Sequence, residues 1–179
     1  AGHSDTRFGV VRDGNVMGSR GSVIPLFRRL AESGRLPVTD DRMTRFWITL
    51  QQGVDFVLKS FERMLGGEIF VPKIPSIRIT DLAKAVAPGL PTKVIGIRPG
   101  EKLHEIMCPA DDSHLTLEFP DHFVLCPTIK FHNSEMNYAT NRLNESGASV
   151  GMGAEYNSGS NPHFLTVQEI REYNRIAGA

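Results

Sequence analysis

Cysteine is nearly missing from this 179-residue sequence. Cys108 and Cys126 are the only two, too few for a disulfide framework. One tryptophan and three tyrosines leave little for a base-stacking platform, and the ten phenylalanines are not interleaved with basic residues. A surplus of one charge is missing too, since 20 Lys plus Arg face 20 Asp plus Glu. A broad nucleic-acid-binding surface is therefore not expected, while a local basic pocket is compatible with neutrality. No apolar run approaches the roughly 18 residues of a membrane span. Residues 1–6 hold no signal-peptide core. The expectation is a soluble, cytoplasmic protein without nucleic-acid or membrane partners. Hydrophobic residues at 40% and charged residues at 22% exclude wholesale disorder. The length suits one domain, or one and a fraction. The absence of an initial Met is compatible with a fragment or a processed product.

Several chemical motifs are also lacking. There is no GxGxxG, no Walker A sequence and no Gly-x-Ser-x-Gly elbow. The positions four after Tyr138, Tyr156 and Tyr173 hold Arg142, Ser160 and Ala177, so no Tyr-x-x-x-Lys pair exists. His104 and Cys108 fall short of the HExxH zinc pattern. His122 and Cys126 repeat that spacing, but on a strand they stand about 13 Å apart. No metal site is expected.

What is present reads as alternating short strands and helices. Residues 8–12 suit a buried strand, and the glycine-rich stretch 14–21 suits a loop. Ser22 caps a predicted helix that ends at Gly34. Extended pieces follow at 36–39 and 43–48, with a turn at Asp40–Asp41. A helix begins at Thr49 or Gln51, with Val54, Val57, Leu58, Phe61 and Leu65 as its apolar positions, and closes at Gly66–Gly67. Further strands are predicted at 68–72, 77–79 and 93–97, and a helix capped by Thr80 at 81–87. One or two helical turns are expected at 102–107, then short strands at 115–119 and 123–125. Residues 127–161 lack pattern. Thr166 and Glu169 have capping-box spacing ahead of a last helix bearing Val167, Ile170 and Tyr173. A mixed α/β or α+β fold follows.

Three groups of residues can bind a ligand. The loop 14–21 exposes backbone amides beside Arg20 and Asn15, which suits a phosphate, a cofactor edge or a plain structural turn. Arg42, Arg45 and Arg98 suit diphosphate oxygens or surface ion pairs with Asp40, Asp41 or Glu101. Glu101 can accept from a ribose or sugar hydroxyl, or it can be a first-turn acid of a helix.

Four segments, in order, carry a resemblance. They are Arg12–Asp13–Gly14–Asn15–Val16–Met17–Gly18–Ser19–Arg20–Gly21–Ser22–Val23, the run from Leu36 through Arg42 and Arg45 to Thr49, Gly67 to Ser76, and Ile95–Gly96–Ile97–Arg98–Pro99–Gly100–Glu101–Lys102–Leu103–His104–Glu105. The run from Tyr156 to Asn161 followed by Phe164 to Val167 matches more loosely. Together they resemble the C-terminal part of the inverting UDP-N-acetylglucosamine 4,6-dehydratases, which are extended short-chain dehydrogenase/reductase proteins. The resemblance implies a partial Rossmann sheet plus a small mixed substrate-binding domain. It divides the chain into 1–35, a residual strand, loop and helix of the Rossmann-like domain; 36–126, mainly sugar-nucleotide-binding with returning sheet segments; and 127–179, an irregular tail with a C-terminal helix.

The resemblance also implies chemistry. Family members use NADP(H) to oxidise C4 of the sugar, eliminate water across C5 and C6, and return hydride to C6 with inversion at C5, toward pseudaminic acid. It assigns Asn15, Val23, Thr39, Arg42, Arg45, Arg98 and Glu101 to UDP-N-acetylglucosamine or a related nucleotide sugar. It assigns Val16, Met17, Gly18, Ser19 and Arg20 to the cofactor. The family's glycine fingerprint, Thr–Asp–Lys segment and Tyr–Lys pair would all precede residue 1, and Asp13 stands where the family has an aromatic residue. No catalytic residue is therefore assigned here, and NADP is expected of the parent enzyme rather than of this chain alone. A strand at 8–12 without its sheet neighbours predicts an exposed apolar face, self-association or an N-terminal partner.

Overall fold

The structure, a computed structural model, describes residues 6–17, 27, 34–129 and 136–176. In chain order the strands are β1 (Val10–Val11), β2 (Asn15–Val16), β3 (Leu36–Val38), β4 (Thr44–Ile48), β5 (Ile69–Pro72), β6 (Ser76–Arg78), β7 (Thr92–Val94), β8 (Ile106–Cys108), β9 (Thr116–Glu118), β10 (His122–Leu125), β11 (Ala148–Ser149) and β12 (Tyr156–Asn157). The described helices are α1 (Leu50–Arg63), α2 (Ile79–Val86) and α3 (Val167–Ile176). They form two compact units: residues 1–13, 51–73 and 106–156, and residues 14–50, 74–105 and 157–179.

The first unit is a five-stranded mixed sheet in the order β1–β5–β10–β9–β11. β1 runs parallel to β5, with Val10 opposite Ile69. β10 runs antiparallel to both β5 and β9, and its hairpin with β9 turns at Pro120–Asp121 as the sequence predicts. Phe56 and Met64 pack with Phe70, Phe119 and Val124. The helix itself is where its spacing predicts, but its orientation differs. Gly53, Phe56, Ser60 and Arg63 face inward, while Val54 (44%), Leu58 (58%) and Phe61 (63%) are exposed. Burial of Arg63 explains the turn, because two carboxylates on the sheet side hold its guanidinium.

The second unit has two small sheets. β2 runs parallel to β4, pairing Asn15 with Trp47, and β4 runs antiparallel to β6. β3 and β7 form a separate parallel pair. Leu36, Val38, Trp47, Ile77, Leu82, Leu165 and Ile170 form the core, with α2 and α3 contributing the last residues. The capping box holds: Thr166 N–H donates to Glu169 Oε2 at 2.8 Å and Glu169 N–H returns to Thr166 Oγ1 at 3.3 Å.

Three local predictions are corrected. Residues 15–16 of the predicted loop are strand, because Trp47 and Ile48 offer an edge to pair with. α2 begins at Ile79 with Arg78 as its cap residue, so Thr80 lies inside the helix. Residues 102–107 are not helical; they bend at Leu103–His104 and enter β8. Their backbone groups bond elsewhere: Leu103 C=O accepts from Thr44 N–H and Glu105 N–H donates to Ser158 Oγ. The helix predicted at 22–34 lies outside the described residues except for Phe27 and the last position.

Candidate functional site

In the second unit, β3 and β4 are joined by a turn at 39–43, and the chain after β7 returns beside them. Ile95 N–H donates to Val38 C=O and Gly96 N–H to Thr39 C=O. Residues 98–101 make a tight turn, with Glu101 N–H donating to Arg98 C=O at 3.0 Å. Gly100 has φ +80 there, a conformation that side-chain-bearing residues rarely adopt. Glu101 Oε2 accepts from Arg98 N–H at 3.2 Å, and Oε1 accepts from Thr39 Oγ1 at 3.3 Å. This carboxylate therefore ties the turn to the end of β3.

Arg45 lies on β4 with only 12% of its side chain exposed. Its Nη1 donates to Thr44 C=O at 2.7 Å and to Leu103 C=O at 3.3 Å, and its Nε lies 3.5 Å from Glu105 Oε1. Thr39, Arg98 and Glu101 are thus tied by one set of hydrogen bonds, and Arg45 is held by a separate set from the following segment, Leu103 to Glu105. Asn15 is exposed on β2, next to β4 in the same sheet. Arg42 points elsewhere and forms a two-pronged ion pair with Asp40 at 2.8 and 2.9 Å. That fork holds the Asp40 carboxyl far below the usual range.

The residues expected at a cofactor fare differently. Val16 ends β2, Met17 is buried in the core, and Met17 N–H donates to Ile48 C=O. Those two supply no polar side chain for a dinucleotide and make no cofactor cradle by themselves. Gly18, Ser19 and Arg20, like the substrate-side Val23, lie outside the described residues. Asp13, in the first unit, sits beside Gly53 near the start of α1. Burial raises its pKa, and its Oδ1 has no hydrogen-bond partner.

Sequence reasoning considered His104 only as a metal ligand and did not single out Thr44 or Ser158. In the structure Thr44 Oγ1 lies 2.8 Å from His104 Nδ1 and 2.7 Å from Ser158 Oγ. The signal for this was the resemblance alone, whose segments Leu36 to Thr49, Ile95 to Glu105 and Tyr156 to Asn161 contain Thr44, His104 and Ser158. A Cβ on Gly159 would come within 2.6 Å of the His104 ring, so glycine is what lets the ring in.

The first unit holds a second polar cluster. Arg63, 1% exposed, bridges Asp121 at 2.8 and 2.9 Å and Glu145 at 2.7 and 3.1 Å. His122 Nδ1 lies 2.7 Å from Asp121 Oδ1, and its ring stacks on Phe119 at 4.5 Å. Burial opposes ionisation of Asp121, yet the hydrogen bonds and charge of Arg63 and His122 prevail and hold it at about 2. Burial pushes the Cys108 thiol up to about 12 and Cys126 to about 11, which leaves neither a ready nucleophile. Among the described residues no group of three or more His, Cys, Asp or Glu could hold a metal ion, and no helix is long and apolar enough to cross a membrane.

Comparison with known proteins bears on this arrangement. The inverting UDP-N-acetylglucosamine 4,6-dehydratase of Campylobacter jejuni is 56% identical over 96% of this chain and 52% of its own length. The UDP-glucose 4-epimerase of Rickettsia canadensis is 36% identical over 94% of this chain and 49% of its own length. The X-ray structure of Pen from Bacillus thuringiensis aligns with 99% of this chain and 52% of its own, with a TM-score of 0.78 and 31% identity. The chain spans about half the length of these relatives. Its fold is mixed α/β, with a sheet that corresponds to part of a Rossmann-like fold. The polysaccharide biosynthesis protein family matches residues 1–127, which is 127 of the 179 residues and takes in β1 through β10, so the chain belongs to that family.

Proposed function

We propose that this chain is the nucleotide-sugar-binding part of an NADP-dependent UDP-N-acetylglucosamine 4,6-dehydratase of the C5-inverting type, acting in nucleotide-sugar biosynthesis toward pseudaminic acid. The observation that carries the reading is the tie from Glu101 to Thr39 and Arg98, followed in the chain by the Leu103–Glu105 segment that holds Arg45. Similarity to the Campylobacter jejuni dehydratases supports it.

In this reading Arg45 and Arg98 meet the diphosphate, whose oxygens match a planar guanidinium fork. Glu101 and Thr39 meet hydroxyls of the ribose or sugar. Asn15 contributes an amide that both donates and accepts. Val23 and Arg42 belong to the same substrate side, Arg42 by exchanging Asp40 for a ligand oxygen. Val16, Met17, Gly18, Ser19 and Arg20 belong to the cofactor side. NADP supplies the hydride chemistry; the residues of this chain bind and orient the sugar nucleotide and carry out no proton transfer. The isolated chain therefore does not turn over. Each proton-transfer group it lacks is worth a factor of about 10² to 10⁴ in rate.

Calorimetry with UDP-N-acetylglucosamine tests this, with and without a separately supplied N-terminal half of a dehydratase. Binding by the chain, with turnover only after mixing, is the expected result. Arg45→Ala should weaken binding by about tenfold or more, since hydrogen bonds to charged groups contribute about 1.5–3 kcal/mol. Binding without turnover after mixing would favour a second reading, a non-catalytic nucleotide-sugar-binding or regulatory module, for which retention of the substrate-side residues speaks. Absence of binding would overturn both.

A further inference from the structure

The contacts around Thr44 determine which ring nitrogen of His104 carries hydrogen. Ser158 Oγ accepts from Glu105 N–H at 2.9 Å and lies 2.7 Å from Thr44 Oγ1, which in turn lies 2.8 Å from His104 Nδ1. Suppose Nδ1 donated to Thr44. The threonine hydrogen would then pass to Ser158, which would accept twice and, among the bonds of the described residues, have no acceptor for its own. Ser158 is 0% exposed, so water cannot take that hydrogen, and a stranded buried donor is costly. The opposite order uses every hydrogen once. Ser158 donates to Thr44, Thr44 donates to His104 Nδ1, and the ring carries its hydrogen on Nε2.

This chain of bonds has a mechanical effect. It binds the segment 103–105 to β4, assisted by Thr44 N–H to Leu103 C=O at 3.1 Å and Ser158 N–H to Glu105 C=O at 2.8 Å. The same segment supplies what holds Arg45: the Leu103 carbonyl and the Glu105 carboxylate. The His104 ring fills the space where a Cβ of Gly159 would stand, so the imidazole is fixed by packing as well as by its bond. We propose that His104 is a positioning residue for the nucleotide-sugar site. Its Nδ1 is the terminal acceptor that clamps segment 103–105 to β4 and so aims the Arg45 guanidinium. The inference rests on the nucleotide-sugar reading above and assigns His104 no contact with the ligand.

The test uses the full chain, UDP-N-acetylglucosamine as probe, calorimetry, and a thermal melt of every variant. His104→Phe fills the ring space without an acceptor and strands the Thr44 hydroxyl. It should weaken binding about tenfold. His104→Asn places an amide oxygen near the Nδ1 position and should restore binding to within about threefold. In an Arg45→Ala background, His104→Phe should have little further effect, because residues acting through one another are not additive. Nitrogen-15 spectra should report the Nε2–H form of the His104 ring. Unchanged binding in His104→Phe, an equal loss in the Arg45→Ala background, or an Nδ1–H ring would each overturn the proposal while leaving the nucleotide-sugar reading standing. No binding by the unsubstituted chain would remove that reading and the proposal with it. A His104→Phe variant that melts early is judged by His104→Asn and by the ring spectrum, neither of which depends on it.

Discussion

In the second unit Leu82, Leu165 and Ile170 of α2, α3 and their flank close over Trp47 and Ile77, and the core is covered. In the first, α1 turns Val54, Leu58 and Phe61 outward, and Phe8 and Val10 beside β1 are more than half exposed. The sheet differs in the same sense. Val10 and Arg12 N–H donate to β5, so the alternate peptide groups of Gly9 and Val11 lie along the other edge of β1. A cleft of about 200 Å³ lies between α1 and β1 with β5, lined by Gly9, Val11, Val57, Phe61, Met64 and Phe70 among others. A two-residue parallel strand at a sheet edge is unusual, because parallel strands are ordinarily flanked and covered. One unit thus contains its own apolar cover, and the other joins a small apolar cluster to the ion pairs of buried Arg63 and leaves a stripe of α1 exposed.

The sharpest way to break this contrast is Arg63→Ala. It should cost about 3 kcal/mol, since it empties a buried site and removes the charge-assisted hydrogen bonds to Asp121 and Glu145. Hydrogen exchange should quicken at 69–72 and 122–125 while 77–86 and 167–176 keep their protection. Equal loss in both sets would show that the two units do not differ in this way.

Acid should sharpen the contrast with a smaller effect. His122 is packed among Phe56, Phe70 and Phe119 and faces Asp121, with Arg63 and Glu145 nearby. Burial lowers its pKa from 6.5 despite the Asp121 hydrogen bond. A base whose folded value is lowered contributes stability that is complete above its unfolded value and is lost as pH falls below it. The first unit should therefore lose stability as pH falls below about 6.5. His122→Phe, which keeps the aromatic packing, should flatten that loss in melts recorded across the range. Asp121, held at about 2, does not titrate there.

The smallest effect on stability belongs to the stripe. Leu58→Glu with Phe61→Glu should change unfolding by no more than about 0.5 kcal/mol, as exposed positions do. Any self-association through the stripe, read by sedimentation, should fall. Strong hydrogen-exchange protection of residues 8–12 in a monodisperse monomer would instead mean that the β1 edge is covered.

Much of this was legible where local signals suffice. The hairpin around Pro120–Asp121, the helix over 50–63 and the Thr166–Glu169 box each carry their reason within a few residues. What escaped notice depends on distant partners. Residues 102–107 look helical until Thr44 and Ser158 take their backbone groups. The apolar spacing of α1 is real, but spacing cannot say that Arg63 would be drawn inward by Asp121 and Glu145 and the stripe left out. Arg45, Arg98 and Glu101 stood out as candidates for binding and Thr39 through the resemblance alone, yet the hydroxyl and imidazole beside Arg45 did not, because Ser158 lies 114 residues beyond Thr44.

That separation has a consequence for synthesis. Each unit is assembled from three stretches that alternate along the polypeptide, so neither forms a continuous segment that a ribosome could release and leave to fold. The second unit waits for Ser158 and α3, made after its other two stretches, before its core and the Thr44 hydroxyl find their partners. Contacts this distant in sequence make folding slow. A premature stop near residue 157 would therefore do its damage not at the chain's end but around Arg45.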